Sequence, residues 1–404
     1  MGKSPQEVVS RGNFQIDTTV LNSVYSLIQD NFYTQENIDT QALTEGAVKG
    51  MVEMLQDKNS EFMNRETTER FMQSLSGDFE GIGAVVEKVT LGVKVERVIQ
   101  GSPALLGDIR SGDIIISANG ISLEDLDLFD AVEEIKGPAG TEVILEVIRP
   151  SQDDVITKNI IRQKIQIPSI EHEIFEDENI GYIRVNMFGD STSFEFREAL
   201  GNISTNNPDG LILDLRNNGG GYLESAVEIL SEFIVAGEKL VSIRYRDSVH
   251  NTQFRSDNNG DIFDKKIVVL INENSASAAE ITAGALREYN KAILLGAKSF
   301  GKGSVQQPFD ISGGGLLKLT VANWYTPLGR NIELEGINPD IEVIFLEEDF
   351  ENNYDRQLEE AKRLMQIYIE KNTIGLTLEA FEPLISLERE EENLNEIDEI
   401  DEEE

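Results

Sequence analysis

The sequence predicts an α/β chain of several domains, and three observations carry that expectation. From about residue 165 to 345, short apolar runs alternate with glycine-rich turns and amphipathic stretches. GLILDL is followed by RNNGGG and LESAVEILSEFI, and KIVVLI by NENSASAAEITAGALRE. That order sets strands and helices in turn and puts sites where a strand hands over to a helix. Upstream lies a β-rich stretch of separate character, and 404 residues are more than one core usually organises.

Taken in order, residues 1–75 read as a helical segment. Val20, Leu21, Val24, Leu27 and Ile28 recur with helical spacing, and ALTEGAVKGMVEML repeats the pattern. A glycine-rich boundary, SGDFEGIG, opens residues 76–164. There GAVVEKV, GVKVERVI, DIIISANG and EVILEVIR read as strands around one helix, LDLFDAVEEI, a small domain of common size. The α/β core occupies 165–345. Residues 346–404 hold one further helix, DRQLEEAKRLMQIYIEK, and an acidic tail ending EIDEIDEEE, which reads as a solvated end.

Composition excludes several functions. A formal charge of −39 argues against nucleic-acid binding, which needs a basic surface. With no cysteine there is no disulfide, thiolate metal site or cysteine nucleophile. No apolar run is long enough to cross a bilayer, and the start MGKSPQEVVS has no apolar signal core. The two histidines, His172 and His250, lack a partner histidine at metal-ligand spacing, so histidine is an unfavoured base.

The residues left for chemistry lie in two stretches. In NENSASAAEI, Ser277 stands where a strand gives way to a helix. Amides at a helix N-terminus favour negative charge, so an oxyanion formed beside Ser277 would be stabilised there. A plainer reading competes: Ser277 and Glu280 fit the S-x-x-E capping box, and Ser275 competes for either role. In GAKSFGKGSVQ, the run from Gly296 to Lys302 fits a phosphate-loop pattern, but Gly303 stands where that loop needs Ser or Thr. Pro308 and three later glycines argue against the helix it must open. Lys302 is better placed as the base for a serine, since Ser–Lys pairs follow triad logic. That role needs its pKa to fall from about 10.4 to roughly 7–8, about 4 kcal/mol, which burial can supply. A surface lysine in a turn is the alternative. Gln306 could accept a lysine hydrogen bond. Gly219 or Gly220 of RNNGGG, with Ala278, could give the amides of an oxyanion hole.

Together, LDLRNNGGG, NENSASAAEI, SFGKGSVQ and NWYTPLGRNIELEGINPDI resemble the C-terminal processing peptidases, or tail-specific proteases. The match covers most of residues 14–345. It implies a crotonase/ClpP-like protease core, a Ser277 nucleophile, a Lys302 base 25 residues later, and Gln306 positioning the lysine. GSPALLGDIRSGDIIISANG resembles a PDZ signature, departing from it at Leu106, Gly107 and Asp108. Amides around Gly81, Ile82 and Gly83 would then capture a substrate's terminal carboxylate, the peptide adding as a strand. Arg149 is the candidate for coupling this domain to the protease. The resemblance further implies a serine endopeptidase without a cofactor, acting on proteins and peptides with free C-termini outside the cytoplasm. It is compatible with a homodimer through the helical segment and with a regulatory adaptor. A latent or non-catalytic PDZ scaffold is the alternative, and an acyl-CoA enzyme of crotonase type leaves the PDZ-like insertion without a purpose.

Overall fold

The computed structural model describes residues 17–370 except 35–37, 77, 100, 127, 151, 153, 167, 259–262, 347–348, 350–351 and 353. The acidic tail and the first 16 residues lie outside that set.

The N-terminal segment supplies helices α1 (Thr18–Asn31), α2 (Thr40–Glu53) and α3 (Arg65–Ser76), with a short strand, β1 (Glu61–Met63), between the last two. Asp17 and Asp39 cap α1 and α2, each accepting backbone N–H bonds. The helical periodicity forms a face that stays open: Val20, Leu21, Val24 and Leu27 are all exposed.

Two strands then frame the β-rich domain. The chain enters through β2 (Asp78–Gly81) and continues in β3 (Ala84–Val89), β4 (Gly92–Val98), α4 (Pro103–Leu106), β5 (Ile114–Ala118), β6 (Ile121–Ser122), α5 (Leu128–Ile135), β7 (Glu142–Ile148) and β8 (Ile156–Ile161). It leaves through β9 (Gln163–Gln166). The order β3-β4-β5-β7-β8 makes an antiparallel sheet around a core of Val93, Val95, Ile115, Val143, Leu145 and Val147. In β7 burial alternates strictly, the pattern of a strand with one wet face. Strands β2 and β9 pair with each other, so entry and exit form one ribbon.

The α/β core is a second layered unit. Strand β10 (Ile170–Phe175) runs antiparallel to β11 (Ile180–Val185), and helix α6 (Thr192–Thr205) follows. Then come β12 (Gly210–Asp214), α7 (Leu223–Ser231), β13 (Lys239–Tyr245), β14 (Thr252–Arg255), β15 (Lys266–Ile271), α8 (Ala278–Glu288), β16 (Ala292–Gly296), β17 (Ser304–Ile311), β18 (Gly315–Tyr325) and β19 (Ile341–Glu342). Strands β11, β12, β15, β16 and β19 are mutually parallel. Parallel strands covered on both faces read as unbroken apolar runs, which explains GLILD and KIVVLI. One face packs Ile183, Leu211, Leu213, Ile267 and Val269 against α6, α7 and α8. The other packs Tyr182, Ile212, Val268 and Leu270 under the C-terminal helix Arg356–Glu370. A buried cluster fixes that helix: Arg216 bonds Asp214 at 2.7 Å and Asp355 at 2.7 Å, while Tyr182 donates to Asp214. Burial opposes the Asp214 charge, but Arg216 and Arg184 hold its carboxyl at about 2.

A separate antiparallel sheet carries β13, β14, β17 and β18. Strand β18 pairs with β17 along one edge, and with both β1 and β13 along the other. The helical reading of residues 14–75 missed β1, which is completed by a strand about 255 residues further along.

Candidate active site

Ser277 is the N-cap of α8, where β15 has just ended. Its backbone is strained, with φ 55° and ψ −114°, at a cost of about 1–3 kcal/mol for a residue with a side chain. Such a turn lifts the hydroxyl out of the helix line. Gly220 lies against it: a methyl group there would come 2.7 Å from Ser277 Cβ and 2.8 Å from the Ala276 carbonyl oxygen. Only glycine allows the RNNGGG turn this close, and φ 97° favours it again.

The capping-box expectation is met in a form that serves more than the helix. Of the two arms, Glu280's is the one at bonding distance, its Oε2 accepting the Ser277 N–H at 2.9 Å. Glu280 is 1 % exposed and takes three further bonds. Its oxygens accept Ser299 Oγ at 2.6 Å, Gly301 N–H at 2.7 Å and Lys302 N–H at 2.9 Å. One buried carboxylate therefore ties the serine turn to the lysine loop.

Lys302 precedes β17, so no helix opens behind it, in line with the rejection of a phosphate loop. Its carbonyl accepts the Trp324 indole N–H at 2.8 Å, and the neighbouring Gly303 N–H donates to Glu333 at 2.8 Å. Burial, helped by Lys318, pulls the Lys302 ammonium below its ordinary pKa, against the pull of Glu333 and Glu280. Among the described residues, the Lys302 amine and the Ser277 hydroxyl do not hydrogen-bond each other. Catalytic bonds are often long before substrate arrives.

The remaining expected residues separate. Gln306 makes no bond to Lys302, because a bulge between Val305 and Gln306 breaks the alternation on which that expectation relied. Its Nε2 donates instead to Ser304 Oγ at 3.1 Å and Thr320 Oγ1 at 3.3 Å. Between the two glycines, the Gly220 N–H is taken by Asn218 Oδ1 at 2.8 Å. Gly219 is exposed with open space around it, which makes its amide the freer donor beside Ala278. Ser275 is buried and donates to the Leu215 carbonyl, a structural duty. His172 and His250 are both exposed.

Sequence reasoning missed Asn218. It is fully buried, donates to the Val185 carbonyl at 2.6 Å and accepts the Ala276 N–H at 2.9 Å through its own carbonyl, pinning the glycine turn to the serine turn. Two asparagines before three glycines were the available signal.

In the β-rich domain Gly81, Ile82 and Gly83 line an apolar cavity of about 170 Å³ with Ile99, Val132, Ile135 and Ile165. The Ile82 and Gly83 N–H groups enter none of the described backbone bonds, whereas their carbonyls accept Ala104 and Ile99. Arg149 does not reach the core. Its guanidinium is buried against Asp113 at 2.7 Å and 2.8 Å and donates to the Asp108 carbonyl, bonds made inside its own domain. The departure at Asp108 has the same origin: its carboxylate also pairs with Lys158 and Arg110. The arginine that does meet the core is Arg97, 3.1 Å from Glu171 of β10.

Residues 179–343 match the model of peptidase family S41, residues 94–149 a PDZ domain, and residues 4–67 the N-terminal domain of the activating protease CtpB. A probable CtpA-like serine protease of Staphylococcus aureus (strain MRSA252) is 36 % identical over 329 residues. That covers 81 % of this chain and 65 % of the relative. Its counterpart in Staphylococcus haemolyticus (strain JCSC1435) is 35 % identical over 319 residues, 79 % of this chain and 63 % of the relative. A peptidase family S41 domain thus forms the α/β core, and the chain is similar to CtpA-like serine proteases. It spans about 65 % of the length of the curated relatives it matches. Two solved structures share its fold. The photosystem II D1 C-terminal processing protease has a TM-score of 0.57 at 24 % identity, over 87 % of this chain and 98 % of the other. A putative S41 protease from Bacteroides fragilis NCTC 9343 has a TM-score of 0.59 at 17 % identity, over 92 % and 100 %.

Proposed function

We propose that this chain is a serine endopeptidase that holds protein substrates by their C-termini and cuts with a Ser277–Lys302 dyad. The observation that carries the reading is the Glu280 carboxylate, which accepts N–H bonds from both members of the pair and so fixes one turn against the other. Neutral Lys302 takes the Ser277 proton as the hydroxyl attacks a peptide carbonyl. The oxyanion forms on the Gly219 and Ala278 amides, Lys302 returns the proton to the leaving amine, and water releases the acyl group. No step calls for a metal or organic cofactor. The Ile82 and Gly83 amides take the substrate's terminal carboxylate, and its last side chain enters the apolar cavity between β3 and α5.

Substrates are unfolded proteins or peptides ending in an apolar residue, met outside the cytoplasm. The exposed faces of α1 and α2 suit a second copy of this chain, a homodimer, and an adaptor could act through the same surface. A latent form is a second reading, favoured by the unmade bond between the dyad side chains. The test is an unfolded protein with an apolar C-terminus, incubated with wild type, Ser277→Ala and Lys302→Ala and read by mass spectrometry. Cleavage only by wild type is expected. Cutting that survives Lys302→Ala removes the dyad, and binding without Ser277-dependent cutting favours the scaffold.

A further inference from the structure

We infer that Trp324 is a positioning residue for the lysine base: its indole and backbone N–H groups pin two successive carbonyls of the lysine loop, and the 331–333 stretch forms a second clamp built on it. This rests on the dyad reading above. The need for a clamp lies in the sequence. Lys302 stands between Gly301, at φ 88°, and Gly303, so the backbone that carries it has little stiffness of its own. A base at the end of a four-carbon stem works only where it is held to within a fraction of an ångström.

Both backbone N–H groups and both carbonyls of Lys302 and Gly303 are taken. Glu280 Oε2 accepts the Lys302 N–H at 2.9 Å, and Glu333 Oε2 accepts the Gly303 N–H at 2.8 Å. Trp324 holds the two carbonyls. Its Nε1–H donates to the Lys302 oxygen at 2.8 Å, and its backbone N–H donates to the Gly303 oxygen at 2.9 Å. Asn331 joins the pieces. Its Nδ2 donates to the Trp324 carbonyl at 2.8 Å and to the Gly303 carbonyl at 3.3 Å, while its Oδ1 accepts the Glu333 N–H at 3.1 Å. The fit leaves no slack at Gly303, where a methyl group would come 2.6 Å from Glu333 N and 2.9 Å from Asn331 Nδ2.

Trp324 itself is firmly mounted. It lies near the end of β18 opposite Ile243 of β13, is 1 % exposed and belongs to the core of the α/β unit. Filling that core needs only the ring. A buried indole N–H needs an acceptor as well, and the one it has is the carbonyl of the base. The two duties separate by chemistry, because phenylalanine keeps an aromatic ring in the core and drops the N–H. The charged groups around Lys302 are Glu280 of α8, Glu333 of the loop before β19 and Lys318 of β18, and Trp324→Phe changes none of them.

The experiment uses the full chain with Trp324→Phe, assayed on a short peptide. kcat is expected to fall about tenfold with KM little changed, the size of one lost positioning bond. The acid limb of the pH profile should move to higher pH, because a lysine freed from its clamp meets water and regains its charge. An unmoved limb makes the tryptophan a core filler and overturns the inference, whatever happens to Tm, and so does a loss confined to KM. Should that variant fail to fold, a pair at Glu333 decides. Glu333→Ala removes the acceptor of the Gly303 N–H, whereas Glu333→Gln keeps an amide oxygen for it. Both lose the same charge, so the bond is the difference. The alanine variant should lose about tenfold in kcat and the glutamine variant recover most of it, and equal values would sink the inference. The chain has one tryptophan, so its fluorescence reads the same clamp. Glu333→Ala should red-shift that emission, and emission that stays put in this variant counts as a refutation too. Failure of the dyad itself shows separately, as cutting that survives Lys302→Ala.

Discussion

At the residue scale, Glu280 stands to the proposed dyad as a triad's third member stands elsewhere, fixing the Ser277 turn against the Lys302 loop. Four donors converge on one buried carboxylate. Glu280→Gln replaces one acceptor oxygen by an N–H that faces other N–H groups. A misplacement of about 1 Å in such a site costs about a hundredfold, so kcat should fall by about that factor with KM little changed. Steady-state kinetics on a short peptide, with circular dichroism to confirm folding, would check this. Gly220→Ala should be as damaging, because its methyl group has no room beside Ser277. In the sequence the pair Ser277/Glu280 was legible as a cap. Its second service was not, because Ser299, Gly301 and Lys302 come 19 to 22 residues later and only the fold brings them round.

Elements explain why much of the rest was readable. Parallel strands buried on both faces give continuous apolar runs, and β7 gives strict alternation, so these strands could be read from period and composition. The register of β1 could not, since three residues carry too little pattern to name a partner so far along the chain. The surroundings of Arg149 were hidden for a related reason: sequence gives its position near a domain end but not the two aspartates that enclose it. Two predictions belong here. Val132→Asp places a charge in the wall of the apolar cavity and should raise KM for proteins with an apolar C-terminus, sparing short peptides. Arg216→Ala leaves Asp214 buried without its main partner and should cost about 3–5 kcal/mol in a denaturant melt. The native Asp214 carboxyl lies below its unfolded value, so its stabilisation is full above the ordinary aspartate range and lost only as pH falls toward about 2.

Across the whole molecule, the β-rich domain and the α/β core meet at one small region. Arg97 of β4 reaches Glu171, and Glu171 also accepts Asn186 Nδ2 at 2.8 Å. Two residues on, the Phe188 N–H donates to the Gly220 carbonyl, so the contact runs from the peptide-binding domain to the turn beside Ser277. The pair is partly exposed and worth about 0.2–1 kcal/mol, so Arg97→Ala should change selectivity for apolar C-termini by no more than a few-fold in a competition assay. Activity should rise with pH through the depressed Lys302 pKa and level off below the ordinary lysine range. The pairing of β1 with β18 has a bearing on how such a chain can be shortened. A version begun at the β-rich domain would leave the Leu316–Lys318 stretch of β18 with bare N–H and C=O groups. Trimming would therefore yield a sticky template for other strands, aggregating where the longer polypeptide stays dispersed.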